Sequence, residues 1–213
     1  MDLDEFTAAN APKDGGDAFQ KENSKLLDIT VDDSVMVKAG SMVAYTGDLT
    51  FTGKSSAEGG ITGMVKEAVS SEGTPIMEAE GSGHLYVAEQ EKKVQVLSLD
   101  ADEGISVNGN DILAFESRVD YEIKTIGGLS EAAAGGLTNV HLSGPGTVTL
   151  TTHGDPLVAT PPITTDPDAT VAWSTNLSPS VGTNKMIEIG QSSNESIQMD
   201  FTGSEGFVVV QPF

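Results

Sequence analysis

Histidines are the side chains most able to do chemistry in this chain, because it contains no cysteine. Three occur, His84, His141 and His153, and none has a second histidine or a carboxylate at the spacing of a metal site. His141 alternates with Val140 and Leu142, which predicts an outward position on a strand. His84 follows a predicted turn and His153 lies in another. We therefore predict surface histidines.

Other polar patterns resemble binding sites but do not complete one. The acidic groups at 100–103 and 166–168 could bind a hard cation, but no EF-hand loop frames them, and solvated turns are the interpretation. Residues 59–63, Gly-Gly-Ile-Thr-Gly, precede a predicted helix but lack the Gly-Lys-Ser/Thr ending of a phosphate-binding loop. No nucleophile elbow occurs. The prediction is a protein that is not an enzyme, with no catalytic, cofactor-binding or metal-binding residues.

The net charge of -21, from 32 acidic and 11 basic side chains, excludes the usual electrostatics of nucleic-acid binding. The acids are scattered through patterned sequence, as in the cytoplasmic proteins of salt-accumulating halophiles; a merely acidic mesophilic protein is the alternative. No apolar run is long enough for a transmembrane helix, and the acidic start is unlike a secretory signal. We expect a cytoplasmic protein, with peripheral membrane association left open.

One short pattern occurs three times and predicts the organisation of the chain. An alanine separates a branched aliphatic residue from an aromatic residue at 43–45, 113–115 and 171–173, with offsets of 70 residues (43 to 113) and 58 residues (113 to 171). The same offsets relate a following aliphatic residue: Leu49, Val119 and Leu177. The aromatic residues are expected in the core, although they could stack on a ligand: Tyr45, Phe115 and Trp173.

The elements around these copies are predicted to be strands. Apolar residues alternate with polar ones from Leu27 to Val31, and Asp32-Asp33-Ser34 predicts a turn. Glycine turns at 81–83, 144–146 and 203–206 each predict a hairpin. Gly47-Asp48 is compatible with either a bulge or a tight turn. Two short helices are expected, at 64–71 and 130–134.

Together these patterns predict an all-β fold in which three strand-rich repeats form a pseudo-threefold arrangement with two short helices. Residues 1–18 form a flexible extension, with at most a short helix near residues 4–9, and residues 19–213 form one β domain. The repeats cover about 19–93, 94–157 and 158–213.

Two blocks resemble a known family. Residues 39–48, preceded by 22–23 and 25–27, are similar to the altered-inheritance-of-mitochondria family of β proteins (its twenty-fourth member), as are residues 144–146 and 206–211. The likeness extends from about Phe19 to the C-terminus. The resemblance implies a compact β fold of the tryptophan RNA-binding attenuator-like kind. In the family that it resembles, mitochondrial members are linked to inner-membrane organisation. The family carries no described catalytic residues. The chain departs from it in a divergent third copy, its acidity and its N-terminal extension.

The functional prediction is a non-enzymatic scaffold or interaction protein that forms homo-oligomers and has possible protein partners. The alternative is a small-molecule or carbohydrate-binding β module with a cleft between repeats. Nucleic-acid binding, which the attenuator-like fold would suggest, conflicts with the charge, and we expect no nucleic-acid partner.

Overall fold

The computed structural model describes residues 1–13, 15–54, 76–126, 137–183 and 197–212. Within them the only helix is α1, Leu3–Ala9, in the N-terminal extension where the sequence allowed at most a short helix; Asp2 caps it by accepting a hydrogen bond from the Glu5 amide. The described strands are β1 (Phe19–Asn23), β2 (Leu26–Lys38), β3 (Met42–Lys54), β4 (Ile76–Val87), β5 (Lys93–Leu99), β6 (Gly104–Asn108), β7 (Ile112–Glu116), β8 (Asp120–Thr125), β9 (Thr138–Ser143), β10 (Gly146–Thr152), β11 (Leu157–Ala159), β12 (Ile163–Thr165), β13 (Thr170–Ser174), β14 (Ser180–Thr183), β15 (Ile197–Phe201) and β16 (Val208–Val210). The predicted helices at 64–71 and 130–134 lie outside the described residues.

The strands form three sheets, so the all-β prediction is confirmed. The first has the order β3-β4-β2-β7-β10-β5, with β1 beside β2. The second has the order β11-β16-β13-β6-β9-β8, and the third the order β12-β15-β14. All of the described pairings are antiparallel.

The same order of pairing occurs in three successive groups of strands. In the first group, β2 and β3 flank β4 along its whole length. In the second, β5 and β7 flank β10, while β6 and β8 flank β9. In the third, β11 and β13 flank β16, while β12 and β14 flank β15. Each of the strands β2, β3 and β4 in the first group is thus continuous, whereas the corresponding strand in the second and third groups is divided into two strands.

The hairpins predicted at the three glycine turns are wrong. β4 runs unbroken through Gly81-Ser82-Gly83, and neither β9 with β10 nor β15 with β16 is a paired couple. In the second and third groups the chain instead leaves one sheet at the glycines and enters another. Asp32-Asp33-Ser34 is likewise no turn between strands, because β2 continues through it with a φ of 125° at Asp33.

Gly47 and Gly81 lie where the backbones of β3 and β4 require glycine. Gly47 has a φ of 81° and Gly81 a φ of 129°. A Cβ atom on Gly81 would lie 2.0 Å from the Asp48 carbonyl oxygen, and one on Gly47 would lie 2.3 Å from that of Ser82. β3 and β4 stay in register through this point, so Gly47-Asp48 forms neither a tight turn nor a bulge.

The repeated apolar positions are buried except in the first copy, residues 43–45, which is exposed. Leu49, Val119 and Leu177 are all buried, and so are Phe115 and Trp173. Tyr45 is 47% exposed, so the prediction that it belongs to the core is wrong. Each of the three rings nevertheless contacts a second aromatic ring, at centroid distances of 5.2–5.6 Å: Tyr45 with Phe51, Phe115 with Tyr121 and Trp173 with Phe201.

Candidate functional site

His84 has a carboxylate partner that its sequence neighbourhood does not reveal. It lies on β4, and its Nδ1 is 3.1 Å from both carboxylate oxygens of Asp28 on β2. The Tyr86 ring stacks beside it at 6.5 Å, and burial, with the charges of Asp28 and Glu22, raises the pKa of Tyr86. His84 itself is about half exposed, in agreement with the predicted surface position, whereas Asp28 is buried. The contact links the paired strands β2 and β4.

His141 forms the second polar contact of this kind. Its Nδ1 lies 3.1 Å from the Oγ of Ser106, on the adjacent strand β6. A serine beside a histidine is the beginning of a nucleophile and base pair, but Ser106 is only 3% exposed and cannot meet a substrate. Burial lowers the pKa of His141, Lys124 lowers it further and Glu122 opposes them. The imidazole is therefore kept neutral and bonds across the sheet.

This arrangement predicts that His141 destabilises the fold in acid. The folded chain binds a proton at His141 less readily than the unfolded chain, whose histidine pKa is about 6.5. Stability contributed by neutral His141 is fully present above pH 6.5 and is lost as the pH falls below that value. When the pH is lowered from 7.5 to 5.5, the free energy of unfolding measured in urea should fall less in His141→Gln than in the wild type. His153→Gln, at an exposed bend, is the control and should keep the wild-type loss; an unchanged loss in His141→Gln would contradict the prediction.

A buried ion pair joins the residue before β5 to the residue before β7. The Lys92 Nζ lies 2.8 Å from Asp111 Oδ1, with side chains 11% and 2% exposed. Burial raises the pKa of Asp111, whereas Lys92, Lys38 and Gln211 lower it. Every group in this cluster is engaged in contacts that hold strand ends together, so its role is structural.

The acidic groups considered as cation sites are turn elements. The Glu103 carboxylate accepts a hydrogen bond from the Asp100 amide at 2.9 Å, and the Asp166 carboxylate accepts one from the Asp168 amide at 2.8 Å. Among the described residues, no group of three or more histidine or acidic side chains could hold a metal ion. His153 is exposed, and the glycine-rich loop 59–63 lies outside the described residues.

A cleft lies beside β1 and β5, the first strands of the first two predicted repeats. It has a volume of about 660 Å³. Its lining includes the side chains of Phe19, Gln95 and Val96 and two lysines, Lys13 and Lys21. Both ammonium groups already donate to backbone carbonyls, that of Lys13 to Lys21 at 2.9 Å and that of Lys21 to Val94 at 3.3 Å.

Among the described strands, large apolar side chains are most exposed on two that lie at the ends of sheets. Met42, Val43 and Tyr45 on β3 are 44–60% exposed, and Leu157 and Val158 on β11 are 62–64% exposed. Strands at the end of a sheet present unpaired amide and carbonyl groups and can accept another strand. Sequence periodicity missed these surfaces because it does not show which strand lies at the end of a sheet.

Comparison with known proteins agrees with the resemblance noted above. The protein SPYM3_0169 from Streptococcus pyogenes, known from its crystal structure, is similar in fold, with a TM-score of 0.67, 22% identity and 92% of each chain covered. No curated protein matches the chain. No described helix has the length and apolar character required to cross a membrane. The family described as "Mitochondrial biogenesis AIM24" matches residues 18–213, and the chain therefore belongs to that family.

Proposed function

We propose that this chain is a non-enzymatic scaffold or interaction protein that associates with itself. The observation that carries the proposal is the exposure of large apolar side chains on strands at the ends of sheets, above all Val43 and Tyr45 on β3. The polar groups that resemble reactive sites support it too, since His84, His141 and the Lys92–Asp111 pair each bond within the sheets.

The repeated order of strand pairing supports the finer part of the fold, a pseudo-threefold arrangement of three repeats. Each repeat pairs its strands in the same order, and the 70- and 58-residue offsets relate the aromatic residues of the repeats. A unit of this kind cannot bury both sides of its sheet alone, so repeats bury one another's faces. A repeat that lacks a neighbour on one side would favour a partner there.

The acidic composition supports work in concentrated salt, as in halophile cytoplasm. At a net charge of -21, two copies repel one another, and 1 M salt shortens the Debye length to about 3 Å. Association should therefore be measured in molar salt.

Light scattering of a dilution series in about 2 M KCl tests the proposal. The expected result is a defined oligomer, at a multiple of the 22.1 kDa chain mass, which dissociates on dilution. A strict monomer at the highest concentration would remove self-association.

The cleft beside β1 and β5 favours a second candidate, a small-molecule or carbohydrate-binding module. A ligand that binds only the folded state raises the melting temperature. A thermal-shift screen of sugars and small metabolites is the test, and a shift that Gln95→Ala abolishes would support this candidate.

A further inference from the structure

Two of the three repeated aromatic strands are covered by a strand of the preceding group. Residues 35–37 of β2 pair with β7, with Met36 opposite Phe115. Residues 105–107 of β6 pair with β13 in the same way, with Ser106 opposite Trp173. Four consecutive residues in each covered strand, 112–115 and 170–173, are consequently buried.

The corresponding segment of the first group, residues 42–46 of β3, has no such cover among the described strands. β3 ends its sheet, and residues 42–48 are all exposed. The covering residues Met36 and Ser106 are 70 positions apart, and a further 58 positions lead to Thr164 in the middle of β12. β12 also ends its sheet. The two strands that the repeat order would pair are therefore both at sheet ends.

The sequence around residues 42–46 of β3 and the sequence around β12 both lack the charges that usually protect an exposed strand. Residues 39–47 and 156–165 contain no charged side chain, although the chain has 43 (32 acidic and 11 basic). By contrast β8, which also ends a sheet, carries Asp120, Glu122 and Lys124. Natural proteins commonly place charges on strands that must not pair. The uncharged segments are thus suited to receive a strand.

We propose that β12 of one copy pairs antiparallel with residues 42–46 of a second copy, with Thr164 opposite Tyr45. This inference rests on the proposed self-association and specifies its interface. The register follows from the observed pairs Met36–Phe115 and Ser106–Trp173, because the same 70- and 58-residue offsets relate Thr164 to Met36 and Ser106. The added strand supplies hydrogen-bond partners to the open side of β3 and covers Val43 and Tyr45. Because the two edges differ, the contact is head-to-tail, and each copy offers one of each.

Lysine substitutions on the two edges test this pairing. In about 2 M KCl, Val43→Lys and Thr164→Lys should each give the 22.1 kDa monomer at concentrations where the wild type is oligomeric, because a lysine would be buried in the contact. Val158→Lys is the matched control: Val158 has 62% exposure against 60% for Val43, and it lies on β11, outside the proposed contact. It should remain oligomeric. Circular dichroism melting should show that all three variants are folded.

Mixing the two monomeric variants distinguishes this contact from other ways of associating. Val43→Lys retains an intact β12, and Thr164→Lys retains an intact β3. Light scattering of an equimolar mixture should therefore show a dimer joined by one contact, although neither variant associates alone. Pairing of β3 with β3 would give no recovery on mixing.

The outcomes separate this inference from the function on which it rests. If the wild type and Val43→Lys are both oligomeric, the proposed interface is wrong and self-association stands. The same conclusion follows if Val158→Lys is the only variant that is monomeric. If the mixture stays monomeric, the head-to-tail pairing is wrong. A wild type that is monomeric throughout would overturn both proposals.

Discussion

Replacing Phe115 with alanine should lower the free energy of unfolding by about 3–5 kcal/mol, whereas the same change at Tyr45 should cost less than about 1 kcal/mol in dilute protein. The two residues occupy the same place in successive copies of the sequence pattern. Phe115 is fully buried and contacts Tyr121 at 5.2 Å. Tyr45 is 47% exposed and contacts Phe51 at 5.4 Å. The difference arises because β2 pairs beside Phe115, whereas none of the described strands covers Tyr45 in this way.

Urea unfolding of the wild type and three alanine variants, all at low concentration, measures this difference. Trp173→Ala is the matched control for Phe115→Ala, since Trp173 is 2% exposed and should give a loss of similar size, about 3–5 kcal/mol. Equal losses at Tyr45 and Phe115 would show that the first aromatic strand is covered within the monomer.

Replacing Asp111 with alanine should destabilise the fold by about 3 kcal/mol or more, since removing one member of a buried ion pair leaves the other uncompensated. Lys92 would keep only a 3.4 Å contact with the Asn110 carbonyl oxygen. Asp155→Ala is the control: it breaks the Lys93–Asp155 pair of 2.7 Å, whose side chains are 36% and 87% exposed. Exposed pairs of this kind contribute less than about 1 kcal/mol.

The double variant Lys92→Met with Asp111→Leu completes the test. Burial disfavours the Asp111 charge, as its raised pKa shows, so much of the attraction to Lys92 is spent on removing the charges from water. The double variant should therefore recover most of the stability lost in Asp111→Ala, by chemical denaturation at neutral pH. A loss in Asp111→Ala no larger than that in Asp155→Ala would contradict a buried, structural pair.

Local patterns predicted the strands and the family but not how the strands pair. The strand predicted from Leu27, Ile29 and Val31 is confirmed, since all three are buried on β2, although Asp28 between them is buried as well. The three glycine segments do contain glycines with positive φ, but the hairpin interpretation is wrong, because a glycine that closes a hairpin and one inside a strand can have the same local sequence. Only the partners differ: β10 pairs with β5 and β7, and not with β9.

The polar contacts were beyond prediction for a related reason. Asp28 and His84 are 56 residues apart in the chain and meet because β2 and β4 pair. Tyr45 shares its pattern with Phe115 and Trp173, yet it is exposed, because no strand in the described part of the chain covers it. Periodicity reports which side of a strand is apolar, whereas burial also requires a neighbour.

Hydrogen exchange at residues 42–46 at two protein concentrations tests most directly whether this strand is open in the single chain and closed by association. The comparison strands are β7 and β13, each of which pairs with another strand on both of its sides. In about 2 M KCl, amides of residues 42–46 that point away from β4 should exchange rapidly in dilute protein and slowly in concentrated protein, while β7 and β13 stay protected in both. Protection of residues 42–46 as strong as that of β7 in the dilute monomer would contradict the account.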